Sequence, residues 1–267
     1  MAGRFLYEKE NSLMSLFAVI TGASSGLGAE FARQLAAQGY ELLLVARRAD
    51  RMQALADTMP TRCEIFPADL SRTEECDRLV QALEWRRVDL FVNNAGFGAC
   101  GPFSSIDLDR ELNMLEVNVR AVHILTKRMV QKMQRQGSGA LLNVGSSAGL
   151  LPAGPYMATY YATKSYVVSL SRAVAAELRA AGSPVYVGCL CPGPVDTEFN
   201  AVAQVQFALP GISAADCVRC ALAGIRHRKT IIVPGRWMAA AMALSRLVPV
   251  GALIRLTARQ QKRKLNG

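Results

Sequence analysis

LFAVITGASSGLG, residues 16–28, decides the fold. Residues 16–21 are a short apolar run that reads as a buried strand. Gly22, Gly26 and Gly28 then make a tight turn, and residues 29–38 read as a helix that stops at Gly39. Strand, glycine turn and helix in that order bring free N–H groups and the positive end of a helix dipole to one point, which suits a pyrophosphate. The spacing G-x-x-x-G-x-G differs by one residue from the common G-x-G-x-x-G, so the flanking strand and helix carry much of the inference.

Working outward, further apolar runs at 41–46, 62–68, 88–93, 140–146, 184–191 and 230–233 read as strands. Helical patterns at 51–59, 71–84, 108–136 and 160–181 separate them, and residues 214–222, AADCVRCAL, are also helical in pattern. Seven short apolar strands alternating with helices imply parallel pairing, because each parallel step needs a crossover. The expected architecture is one α/β domain, a doubly wound Rossmann sheet of about seven parallel strands with helices on both faces. The expected division is an N-terminal extension over 1–13, a catalytic domain over 14–235 and a basic, amphipathic helical tail over 236–267.

Composition agrees with one globular domain: 267 residues, 51% hydrophobic and 19% charged. The net charge of +10 is unevenly placed. Ten of the 31 basic residues and none of the 21 acidic ones lie from Arg226 onward, so the preceding chain carries 21 of each sign. The tail, rather than the body, is built to face something anionic. Seven cysteines without a regular framework, and no secretory signal in residues 1–13, point to reduced thiols and a cytoplasmic protein. Cys217 and Cys220 form a C-x-x-C inside an apolar helical pattern with no fourth ligand to name, so no metal is expected.

The second strand ends Val45-Ala46-Arg47-Arg48. A site that prefers NAD(H) places an acid there for the ribose 2′-hydroxyl. Ala46 removes that carboxylate, and Arg47 and Arg48 suit a 2′-phosphate, so NADP(H) is favoured over NAD(H).

With these motifs in order, residues 16–235 resemble a single-domain short-chain dehydrogenase/reductase of the NADP(H)-preferring type. Thr21 through Gly28, with Gly22, Ser24, Ser25, Gly26 and Leu27, resembles the family's cofactor turn. Asp69 and Leu70 resemble the pair that borders the adenine, and Asn93, Asn94, Ala95 and Gly96 the segment that ends the fourth strand. Asn118 stands where the family keeps an asparagine, and Tyr160 with Lys164 forms its Y-x-x-x-K pair. Pro192, Gly193, Val195 and Thr197 resemble the loop over the nicotinamide, with Thr197 on the carboxamide. For the serine, spacing to the tyrosine selects Ser147, whereas the S-x-x-G context selects Ser146, three before Gly149. A one-residue insertion at Gly154 reconciles the two and favours Ser146.

The resemblance implies hydride transfer between a nicotinamide and a carbonyl or alcohol carbon. Tyr160 is then the proton donor, Ser146 holds the same oxygen, and Asn118 holds a water linked to Lys164. Tyr160 and Lys164, four apart, share a helix face, and the ammonium is expected to lower the phenol from its ordinary value of about 10. Phe97, Phe103, Leu150, Leu151, Tyr156, Met157, Phe199 and Phe207, on the variable loops, suggest an apolar ketone, aldehyde or 3-oxoacyl substrate. The alternative is a catalytically silent protein of the same fold that senses NADP(H). Expected partners are the small-molecule substrate and a second copy, in a homodimer or homotetramer. The tail reads as a flap over the pocket or a subunit contact. It also reads as a peripheral membrane or acyl-carrier contact, through which the protein would sit at the membrane surface. No nucleic acid is expected.

Overall fold

Five consecutive apolar or small residues bury completely in the first strand, β1 (Phe17–Thr21), and the sheet grows from it in both directions. The computed structural model describes residues 15–196, 198 and 211–265. The chain passes through α1 (Gly26–Ala36) to β2 (Glu41–Ala46), then α2 (Ala49–Ala56) and β3 (Cys63–Pro67). It returns by α3 (Thr73–Ala82) to the other side of β1, where β4 (Leu90–Asn93), β5 (Ala140–Val144), β6 (Tyr186–Leu190) and β7 (Ile231–Ile232) follow. The order is β3-β2-β1-β4-β5-β6-β7, all parallel. The expected architecture holds. Strand order reverses between β1 and β4, and a crevice opens there beyond their carboxyl ends, where α/β sheets bind ligands.

Each face of the sheet has its own core. Phe31, Leu35, Leu42 and Leu44 pack with α7 (Ala214–Arg226) on one face, and Leu79, Phe91, Leu125 and Met129 pack on the other. A fully buried side chain of this kind contributes about 1.5–3 kcal/mol, so both faces are anchored well below the crevice.

The helix expected over 108–136 is present but not uniform. It runs as α4 (Leu108–Leu115), one stretch of π-helix (Glu116–Ala121) and α5 (Val122–Gln136). The widened turn contains Asn118, which is wholly buried. An apolar period alone reports the exposed and buried faces and cannot register one such insertion.

The helix α6 (Ala158–Ala180) carries Tyr160, Tyr161 and Lys164 on its buried side. A short 3₁₀ turn (Ser147–Leu150) leads from β5 onto it. Gly149 makes the contact possible, because a Cβ there would collide with the Lys164 carbonyl group. This is the physical content of S-x-x-G: the glycine lets the serine loop lie directly on the helix that bears the tyrosine. Beyond β7, α8 (Arg236–Leu244) and α9 (Val250–Leu265) fold back over the crevice. Residues 1–13, the expected extension, lie outside the described residues.

Candidate active site

The crevice is a cleft of about 370 Å³. Its near end is built from backbone. No side chain caps the N-terminus of α1, and no acid stands in its first turn, so its dipole is free to meet an anion. Gly28 lets α1 press against the turn, since a Cβ would strike the Gly22 carbonyl oxygen. Thr21 Oγ1 accepts from the N–H groups of Asn94 (2.9 Å) and Ala95 (3.0 Å), and Asn94 Nδ2 donates to the Thr21 carbonyl (2.9 Å). These bonds tie the end of β4 to the turn.

At the second strand end, Arg48 Nη2 donates to Ser24 Oγ (3.1 Å) and Ser25 Oγ (3.2 Å), which holds the guanidinium beside the turn. Glu198 pairs with Arg48 at 3.6 Å and with Arg51 at 2.9 Å. An acid therefore rests on these cations. Arg47, Asp69 and Leu70 border the same end of the cleft.

At the far end stand Ser146, Tyr160 and Lys164. Ser146 Oγ accepts from Ala148 N at 3.1 Å, which leaves its own proton for the Tyr160 oxygen, to which it is hydrogen-bonded. Burial pushes the Tyr160 phenol up to about 12, and the Ser146 bond opposes this only in part. Lys164 Nζ donates to the Val144 carbonyl at 2.9 Å and stands 5.9 Å from the Tyr160 ring centre. Burial lowers its amine to about 8. Loss of water around the phenol thus works against the acidification expected from Lys164.

The Asn118 side chain is engaged with the strand-end segment beside the cleft. Its Nδ2 donates to the Phe97 carbonyl (2.8 Å) and Thr163 Oγ1 (3.2 Å), and its Oδ1 accepts from Phe97 N (3.1 Å). The side chain clamps the strand-end segment in place, and it lies behind the cleft wall.

Most residues singled out from sequence meet here. Gly22, Ser24, Ser25, Gly26, Leu27, Arg47, Arg48, Asp69, Leu70, Asn94, Ala95, Gly96, Ser146, Tyr160, Lys164, Pro192, Gly193 and Val195 all line the cleft. Gly28 and Asn118 stand behind its wall, and Thr197, Phe199 and Phe207 lie outside the described residues. Of the other apolar candidates, Phe97, Leu151 and Met157 line the cleft. Phe103 instead points to solvent at 67% exposure, Leu150 packs on the buried cluster that includes Val122, Val167 and Val168, and Tyr156 is half-buried and does not line the cleft.

Two groups are legible in the sequence only in part: Asn93 stands out without its partners, and the tail reads as a flap over the pocket without the residues that close it. Beneath the site, Asn93 Nδ2 and Thr126 Oγ1 both donate to Asn143 Oδ1 (3.1 Å each), and Asn143 Nδ2 donates to Ser171 Oγ (3.0 Å). Above the site, Met238, Met242, Gln260 and Gln261 form a roof. Gln261 Nε2 donates to the Tyr161 hydroxyl at 2.7 Å, and Thr257 Oγ1 donates to the Ala153 carbonyl at 3.1 Å. A signal for the roof existed: Leu253, Thr257 and Gln261 recur every four residues, one buried helix stripe.

An uncapped helix start beside arginines, open at its far end to a serine and tyrosine, fits a dinucleotide with its phosphates on α1. The fold and cleft define a doubly wound domain of the dinucleotide-binding class, with a serine–tyrosine pair at the far end of its cleft. A family model described as short chain dehydrogenase matches residues 16–206, and the chain belongs to that family. It is 34% identical over 180 residues to a very-long-chain 3-oxoacyl-CoA reductase of Neurospora crassa, a match covering 64% of this chain and 54% of that one. The chain thus spans about half the length of that relative. A short-chain dehydrogenase from Sphingobium yanoikuyae, solved in complex with NADPH, superposes with a TM-score of 0.77 at 31% identity, covering 87% of this chain and 94% of that one. A short-chain dehydrogenase/reductase from Burkholderia phymatum, in complex with NAD, gives 0.78 at 28% identity, covering 86% and 92%.

Proposed function

We propose that the protein uses NADPH to reduce an apolar ketone, aldehyde or 3-oxoacyl compound, with Tyr160 supplying the proton. The observation that carries this is the hydrogen bond of Ser146 to the buried Tyr160 at the far end of the cleft, with burial raising the phenol's pKa. At neutral pH that phenol is protonated, the state a reduction needs. When bound, the nicotinamide supplies the hydride.

Every other contribution comes from the chain. Ser146 and Tyr160 together orient the carbonyl oxygen and stabilise charge that develops on it. Lys164 holds ribose hydroxyls, and as a cation it favours the phenolate left once the proton has gone. Asn118 acts as a positioning residue, fixing the Phe97 segment along the cleft. The N-terminus of α1 takes the pyrophosphate, with Ser24 and Ser25 beside it. The absence of an acid at Ala46, and Arg48 held beside the turn, support a 2′-phosphate and so NADPH over NADH. Phe97, Leu151, Met157, Met238 and Met242 supply apolar walls for the substrate. The 3-oxoacyl option draws on the Neurospora crassa relative and on these walls.

The test is thermal stabilisation by NADPH against NADH, followed by reduced-cofactor consumption over a panel of carbonyl compounds. Greater stabilisation by NADPH and turnover of apolar ketones or 3-oxoacyl thioesters are expected. Equal response to both cofactors would overturn the preference, and turnover confined to small acids would overturn the substrate class.

A further inference from the structure

The two faces of α8 are unlike. Met238 and Met242, one turn apart, line the cleft. On the other side Trp237, Ala240, Ala241 and Leu244 form one continuous outward stripe, since they recur at helical spacing and all are exposed. Trp237 is 90% exposed, Leu244 62% and, in the following turn, Leu247 83%. Large side chains left in water together mark a contact surface.

Charge says what covers it. Arg236 precedes Trp237, Arg246 precedes Leu247, and Arg255, Arg259 and Lys262 follow on α9, all exposed. None of the five makes an ion pair among the described residues, and the chain has no acid from Arg226 to its end. A second copy of this face would bring arginines against arginines. An acidic protein would satisfy the cations yet leave Trp237 and Leu247 without an apolar bed. A bilayer with anionic headgroups over acyl chains satisfies both, and an aromatic beside arginines is the usual makeup of an interfacial helix. No described helix is long and apolar enough to cross a membrane, so the contact lies at the surface.

We propose that the outer face of α8 and the Leu247 turn dock on the surface of an anionic lipid bilayer, with the cleft opening beside the lipid. This goes beyond the catalytic reading and is read without turnover.

The experiment is sedimentation of the full chain with phosphatidylcholine vesicles, with or without about 30% phosphatidylglycerol. The expected result is binding to the anionic vesicles, at least about tenfold weaker to neutral ones and weakened by salt. Trp237→Glu with Leu247→Glu should lower partitioning by about tenfold or more, while thermal stabilisation by NADPH is unchanged. In a Trp85→Phe background Trp237 is the remaining tryptophan, and its emission should shift to the blue on anionic vesicles. Failure of the full chain to sediment, or undiminished binding of the double variant, overturns the proposal. So does absence of vesicle binding together with retention on an immobilised acidic carrier protein, or with a dimer that the double variant breaks. Loss of vesicle binding alone leaves the catalytic reading intact, and loss of the NADPH response alone leaves the docking surface intact.

Discussion

The floor and the roof of the cleft are built on different principles. The floor comes from strand ends and α6, and its polar groups are tied to backbone: Asn94 to Thr21, Ser146 to Ala148, Lys164 to Val144. The roof comes from α8 and α9, offers two methionines and two glutamines to the cleft, and rests on single side-chain ties such as Gln261 to Tyr161. Two neighbouring tyrosines mark the boundary. Tyr160 is joined to the floor by Ser146, and Tyr161 to the roof by Gln261. The difference teaches that chemistry is assigned to parts with little freedom to shift, while access and substrate shape are assigned to parts that can vary.

Changes in the floor should therefore cost most. Tyr160→Phe is expected to lower kcat by about 10³-fold, within the span of general acid catalysis, while the NADPH affinity, measured by fluorescence titration, stays within about threefold. A variant that keeps its turnover would break the assignment of chemistry to the floor.

Lys164 gives a second test through stability. Its folded pKa is lowered to about 8 from 10.5, so between those values the unfolded chain binds the proton and the folded protein does not. The group's contribution therefore rises with pH. Wild type relative to Lys164→Met should gain roughly 2–3 kcal/mol between about pH 8 and 10 in cofactor-free denaturant titrations. The buried thiols of Cys76 and Cys217, both pushed up to about 12, act in the opposite sense but equally in both proteins. A constant difference across that range would show that Lys164 is not desolvated in the fold.

Arg48→Ala sharpens the contrast within the floor. Loss of one charge-assisted contact, about 1.5–3 kcal/mol, should weaken NADPH by about 10- to 100-fold and leave NADH nearly unchanged. Equal loss for both would assign Arg48 to the turn alone. The roof should give the smallest effect. Gln261→Leu removes one buried hydrogen bond, about 1 kcal/mol, and should shift KM for bulky carbonyls a few-fold with kcat for small ones unchanged. A collapse of kcat for all substrates would erase the distinction between floor and roof.

The same contrast explains what was legible in the sequence. The turn at Gly22–Gly28, the missing acid at Ala46 and the Tyr160–Lys164 pair are local patterns, each set by residues a few positions apart, and all reach the cleft. The S-x-x-G context was also legible, because Gly149 touches α6 where the serine loop seats, and Ser146 is the serine hydrogen-bonded to Tyr160. What escaped depends on partners far apart in the chain. The Asn118 side chain holds the Phe97 backbone, and Asn143 joins β4, α5 and α6. Gln261 meets Tyr161 a hundred residues away. The tail was legible as a flap over the pocket, but helical spacing does not say which of its residues meet which part of the cleft. The burial of Tyr160 and Lys164 was not legible for a related reason: sequence reports adjacency on a helix, whereas the balance of charge and burial depends on everything packed around both groups.

The central claim is that burial keeps Tyr160 a phenol in the ligand-free protein. Near-ultraviolet tyrosinate absorbance, titrated in wild type and in Tyr160→Phe, tests it directly. The account expects the two curves to coincide up to about pH 10, with the Tyr160 signal emerging only beyond it. A tyrosinate that appears between about pH 6 and 8 in the wild type and vanishes in the variant would contradict it.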